Sequence, residues 1–201
     1  MVHAMMMQSA QTSAPLTRQE RLRRVVLLCC HFMRNLAYYR VGFSGEPRHP
    51  NRDFWVTVNG NFLDQVVLEW CKLLGDERAD HHWMRIVSDK LKFERELLQH
   101  LNMTAAAFQD YRNEMREYRD KFVAHLDLLR EVVIPKFDSA RASIEFYHAY
   151  VAGNEVQQGD LSSPRLLPTT DAELRQYYDQ CATEARLVYG QIDHRPTAAG
   201  G

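Results

Sequence analysis

Leu22, Val25, Cys29, Phe32, Leu36, Tyr39 and Phe43 recur at alternating steps of three and four. That period lays one apolar stripe along one face of an α-helix, and a stripe of this length has to be buried against other elements. The period returns five more times. Val56, Asn59, Leu63, Val66, Trp70 and Leu73 mark a second helix over 53–74, with Asn59 as a polar member of an apolar face. Trp83, Val87, Leu91 and Leu98 mark a third. Phe108, Tyr111, Met115, Tyr118, Phe122, His125 and Leu129 mark a fourth that runs to about residue 130. Phe137, Ala140, Ile144, Tyr147 and Val151 mark a fifth, and Leu174, Tyr177, Cys181, Ala185, Val188 and Ile192 the last. No segment alternates with period two. The pattern predicts an all-α helical bundle of five to six helices in a single domain.

The helix ends are also legible. Thr17-Arg-Gln-Glu20 and Thr170-Asp-Ala-Glu173 have the spacing of capping boxes. Asp80 and Thr104 stand where N-caps of the third and fourth helices belong, and Pro135 suits a first helical turn. Two glycines and two prolines within residues 42–52 break the chain after the first helix, Gly75 ends the second, and residues 153–168 form a loop. Residues 1–15 read as a disordered N-terminus, 16–192 as the bundle, and 193–201 as a flexible tail.

Composition removes several function classes. The chain has 201 residues, 45% apolar and 25% charged, with a net charge of −1. It lacks the basic footprint of a high-affinity non-specific nucleic-acid binder, which leaves room for an enzyme that meets RNA in a local cleft. Cys29, Cys30, Cys71 and Cys181 show no C-x-x-C spacing and read as buried thiols of a reducing compartment. No basic start followed by an apolar run is visible, and the longest apolar run, VVLLCC, is too short for a bilayer. A cytoplasmic protein without membrane contact is expected. His81 and His82 follow Asp80, but adjacent histidines on a helix point apart. Glu94, Glu96 and Asp89 lack the second Glu-x-x-His partner of a di-iron bundle. There is no Gly-rich phosphate loop, nucleophile elbow or dinucleotide fingerprint. Neither a metal nor a cofactor is expected.

One stretch remains, YRDKFVAHLD at 118–127. His125 takes a stripe position that the pattern would give to a leucine. Arg112, Arg116 and Arg119 run along the flank at steps of four and three, with Asp120 beyond Arg119. In one reading His125 is a core histidine bonded to a carbonyl, and the arginines pair with Glu114 or Glu117 on a solvated face. In the other, this is a working site.

Arg119-Asp-Lys-Phe-Val-Ala-His125 resembles the signature of the HEPN superfamily: an arginine, a polar residue beside it, and a histidine after a short gap, late in a helical bundle. Asp120 fills the polar slot. The Ala-His-Leu-Asp ending, with a tryptophan-rich helical region before it, is most similar to the abortive-infection branch. The resemblance covers about residues 17–152 and leaves the last helix outside it or as an extension.

The resemblance implies a metal-independent endoribonuclease, used as a toxin or phage-defence effector, that acts as a two-fold homodimer with both motif helices lining one cleft. Arg119 and His125 lie about 9 Å apart along an α-helix axis and on different stripes. A composite site from two antiparallel copies would hold a phosphate better than one helix. In that scheme His125 supplies acid and base, Arg119 binds the phosphate and stabilises its growing charge, and Asp120 orients His125 or its counterpart across the dimer. Attack by a 2′-OH would restrict the substrate to RNA and leave cyclic phosphate ends. Arg112 and Arg116 would extend the phosphate track. Tyr118 would stack a base or pack in the core, and Asn59, Asn61 and Asp64 are polar residues able to reach the cleft from the second helix. The alternative is a non-catalytic HEPN module that binds a nucleotide or a protein partner such as an antitoxin. A third reading is a helical scaffold in which His125 is simply buried.

Overall fold

The first helix starts where its capping box stands: Thr17 N–H donates to Glu20 Oε2 at 2.8 Å, and Glu20 N–H donates to Thr17 Oγ1 at 3.2 Å. The computed structural model describes residues 16–43, 52–124, 133–156 and 167–192. Among these there is no strand. Seven α-helices follow one another: α1 (Arg18–Phe43), α2 (Arg52–Trp70), α3 (Trp83–Ile86), α4 (Lys90–Leu101), α5 (Ala105–Tyr118), α6 (Phe137–Tyr150) and α7 (Asp171–Ile192). Three of them run on into a π-helical turn, at Cys71–Gly75, Arg119–Ala124 and Val151–Glu155. The architecture is an all-α bundle, as the periodicity predicts.

α1 is the central helix and packs against α2, α6 and α7. It therefore buries a face wider than one stripe, adding Val26, Cys30, Met33 and Ala37 to the predicted positions. Trp70 ties α2 to two other helices. Its ring meets Tyr111 of α5 edge-on at 5.4 Å, and its Nε1–H donates to Ser143 Oγ of α6 at 2.9 Å. A buried tryptophan needs such an acceptor. Phe93 of α4 stacks on Trp83 at 4.9 Å and meets Tyr147 and Tyr150 of α6 edge-on, which docks the short α3 and α4 on α6. All four cysteines are buried and unbridged.

The predicted third helix is two helices, and this raises the number from six to seven. Asp80 is not the cap. His82 caps α3, its Nδ1 accepting from Met84 N–H at 3.3 Å, while its Nε2–H donates to Leu74 O at 3.2 Å. Asp89 caps α4 by accepting from Lys92 N–H at 3.0 Å. The break lies at Val87-Ser88, because Glu155 reaches in from the end of α6. Its carboxylate accepts from Ser88 N–H at 2.8 Å and from Ser88 Oγ–H at 2.7 Å, removing those groups from any helical ladder. Asn102 closes α4 in the left-handed region, with φ 51°.

Among the described residues, four predicted stripe members are exposed: Phe43, Val56, Leu91 and Val188. Each sits near a helix end, where the stripe outruns its packing neighbours. No helix among the described residues is long and apolar enough to cross a membrane.

Candidate functional site

Thr104 starts α5 by accepting from Ala107 N–H at 3.1 Å. The apolar positions Phe108, Tyr111, Met115 and Tyr118 are buried, and the arginines run along the flank of that face, with Arg112 buried beside it. At Arg119 the backbone ladder widens from i→i+4 to i→i+5, and the turn Arg119–Ala124 continues as π-helix. Such turns are rare and recur at functional sites. Phe122, the next predicted stripe member, is half-buried against the core within this turn. His125 itself lies outside the described residues, as do Leu129 and the rest of that predicted helix.

Arg119 is held by two carboxylates. Its Nε–H donates to Asp120 Oδ1 at 2.7 Å, and its Nη1 lies 3.7 Å from Asp76 Oδ2, in the turn after the Cys71–Gly75 segment. The bond to Asp120 raises the guanidinium's pKa above its ordinary value, against the opposing effect of burial. The side chain keeps 22% of its surface exposed, so a fixed, always-charged guanidinium looks out at solvent. Cys71 lies beneath it, its Sγ–H donating to Met115 O at 3.9 Å. Burial pushes that thiol to about 12, with Arg119 pulling the other way, so Cys71 is not a ready thiolate.

The remaining predicted site residues go to different places. Arg112 is buried, its Nη2 donating to Glu77 Oε1 at 2.9 Å and its Nη1 to Gln109 Oε1 at 3.2 Å. That bond holds the Glu77 carboxyl below its ordinary pKa. Arg116 donates to Asn113 on its own helix. Tyr118 is buried, its ring 5.3 Å from Phe122 and its Oη–H donating to Asp64 Oδ1 at 3.2 Å. Burial raises the pKa of the Asp64 carboxyl, and the Tyr118 bond offsets this in part. Asp64 therefore does reach the α5 end from α2, one residue from Arg119. Asn59 does not. It faces the end of α1 and α7, where its Oδ1 and Tyr189 Oη both crowd Gly42, and that Oδ1 has no hydrogen-bond partner among the described residues. Asn61 is exposed.

The structure thus gathers Asp64, Tyr118, Arg119, Asp120, Asp76 and Cys71 at one end of α5. It places Arg112 in a separate ion pair and Asn59 at another face. Asp76 and Cys71 were not legible as neighbours of Arg119. The only sequence signal was a pair of acids just past a helix end, which does not say which arginine they meet. Chemically, the cluster offers an oriented cation with spare N–H donors to an oxyanion. Among the described residues, no three His, Cys, Asp or Glu side chains gather as metal ligands. No family model matches the chain, and neither a curated protein nor a solved structure matches it.

Proposed function

We propose that this protein is a metal-independent endoribonuclease of HEPN type. It works as a two-fold dimer in which Arg119 and His125 of each copy share one cleft, in the service of a toxin or phage-defence response. The observation that supports this most is the state of Arg119. It is the first residue of the motif and the first residue of a π turn, and it is oriented by the motif's own Asp120 while still open to solvent. In this reading it stabilises the charge that grows on the phosphate as the 2′-OH attacks, and His125 moves the protons. Since Arg112 is committed to Glu77, the phosphate track shrinks to Arg119 with Arg116 beside it.

The same commitment of charge favours a second reading. A net charge of −1 and arginines met by Glu77, Asp76 and Asp120 suit a non-catalytic HEPN module that docks a nucleotide or an antitoxin partner. One experiment separates the two. Purified protein is incubated with RNA in EDTA, beside Arg119→Ala and His125→Ala proteins of matched melting temperature. The nuclease reading expects cleavage by the parent alone, with cyclic 2′,3′-phosphate ends and no cutting of DNA. A folded parent that leaves RNA intact sinks it and shifts the case to the binding module.

A further inference from the structure

Away from the α5 end, three arginines line one concavity. Arg18 and Arg21 come from the first turn of α1 and Arg85 from α3, with Leu22 and Ile86 as the floor of a cleft of about 230 Å³. That volume lies below the range of about 300–1,000 Å³ typical of pockets for drug-sized ligands, so an occupant is small.

The three cations are not equally answered. Arg18 is paired with Glu155 and also donates to Ile86 O at 3.4 Å. Arg85 lies 3.8 Å from Asp80 Oδ1, and its Nε–H donates to Glu77 O at 3.3 Å. Arg21 has a bond from Nε to Leu16 O at 3.3 Å, but no carboxylate within salt-bridge reach and no partner for either Nη among the described residues. Three like charges around one small cleft repel one another, and two carboxylates leave one in excess. Glu155 is itself buried and anchored by Ser88, so the wall that carries Arg18 is braced and the arrangement stands without a ligand. A braced cleft with an excess guanidinium and an apolar floor has the chemistry of an oxyanion receptor.

We propose that this cleft binds the terminal phosphate of a small phosphate ester. A terminal phosphate brings up to two negative charges and three free oxygens to the three guanidinium groups. An internal phosphodiester brings one charge and two free oxygens, and so answers them less well. The two Nη groups of Arg21 supply a fork for two of the oxygens, Arg85 and Arg18 supply charge at the sides, and Leu22 and Ile86 receive the first carbons of the ester. The site is separate from Arg119 and does not depend on RNA cleavage.

The test is calorimetric titration of the full chain at low ionic strength with inorganic phosphate, phenyl phosphate and phenol. A 5′-hydroxyl oligoribonucleotide, which contains only internal diesters, serves as competitor. Phosphate and phenyl phosphate are expected to bind one per chain, with the ester tighter, and phenol not at all. Arg21→Gln and Arg85→Gln should each weaken binding by about tenfold, the loss of one charge-assisted contact. Arg24→Gln, on the same helix but not lining the cleft, should change it less than about twofold, as a screened surface charge does. Melting temperatures establish that all three variants are folded. The proposal is overturned if neither phosphate probe binds, if Arg24→Gln weakens binding as much as Arg21→Gln, or if the 5′-hydroxyl oligonucleotide displaces phenyl phosphate from the cleft.

Discussion

Arg112 separates a structural arginine from a working one, and the structure sets the size of the effect. Its side chain is 9% exposed and pairs with Glu77, whose own side chain is 58% exposed. A pair so open on one side is screened and contributes about 0–1 kcal/mol. The bond to Gln109 adds about 1 kcal/mol. Against these stands Arg112 Nε, buried with no partner among the described residues, at a cost of about 1–3 kcal/mol. The polar contributions nearly cancel. Arg112→Met keeps most of the stem volume, so its stability should lie within about 1 kcal/mol of the parent. Arg112→Ala also removes two buried methylenes at about 0.8 kcal/mol each, plus a cavity, and should cost about 2 kcal/mol. Urea unfolding followed by far-UV circular dichroism measures both. Under the nuclease proposal, Arg112→Met should cleave RNA at close to the parental rate. A stable Arg112→Met protein that has lost cleavage would refute the reasoning and return Arg112 to the phosphate track. A loss of 3 kcal/mol or more in Arg112→Met would show that the ion pair had been undervalued.

Three further outcomes follow from buried groups. Burial lowers the His82 pKa from 6.5 to about 4, so the unfolded chain takes up a proton that the folded one refuses. His82's contribution is intact above pH 6.5 and should fall by about 3 kcal/mol as pH drops from 6.5 to 4; the stability difference between parent and His82→Gln, followed over that range, should narrow accordingly. Gly42→Ala should destabilise by about 1–2 kcal/mol, because its new methyl would overlap Tyr189 Oη and Asn59 Oδ1. Gly60→Ala, with open space around it inside α2, should stabilise by about 0.5–1 kcal/mol; calorimetric melting tests the opposite signs. Glu155→Ala should cost about 2–4 kcal/mol, since it strands Ser88 N–H and leaves Arg18 unanswered. A double-mutant cycle with Ser88→Ala should show a coupling above about 0.5 kcal/mol.

Much of the architecture was written locally. The two capping boxes and the Thr104 cap are short-range features, so the three helix starts they mark are where the structure has them. The α5 end was legible only as a list of residue types. Helical spacing places Arg112, Arg116 and Arg119 on one edge, but it does not say that Glu77 reaches the first and Asp76 the last. Nor does it separate Asn59 from Asp64. Both lie on α2, yet one faces Gly42 and the other Tyr118, because five residues along an α-helix turn the side chain well away from its starting direction.

The sequence by itself determined that the chain is helical, where most helices begin, and that the cysteines belong inside, because propensity, capping and periodicity act over a few residues. Tertiary structure alone decided the break at Val87-Ser88, the burial of Arg112 and the state of Arg119. Each rests on a partner far along the chain: Glu155 for Ser88, Glu77 for Arg112, Asp76 for Arg119. A carboxylate reaching across a bundle outweighs local helix propensity, because a buried N–H or guanidinium left without an acceptor costs more than a turn of helix gains.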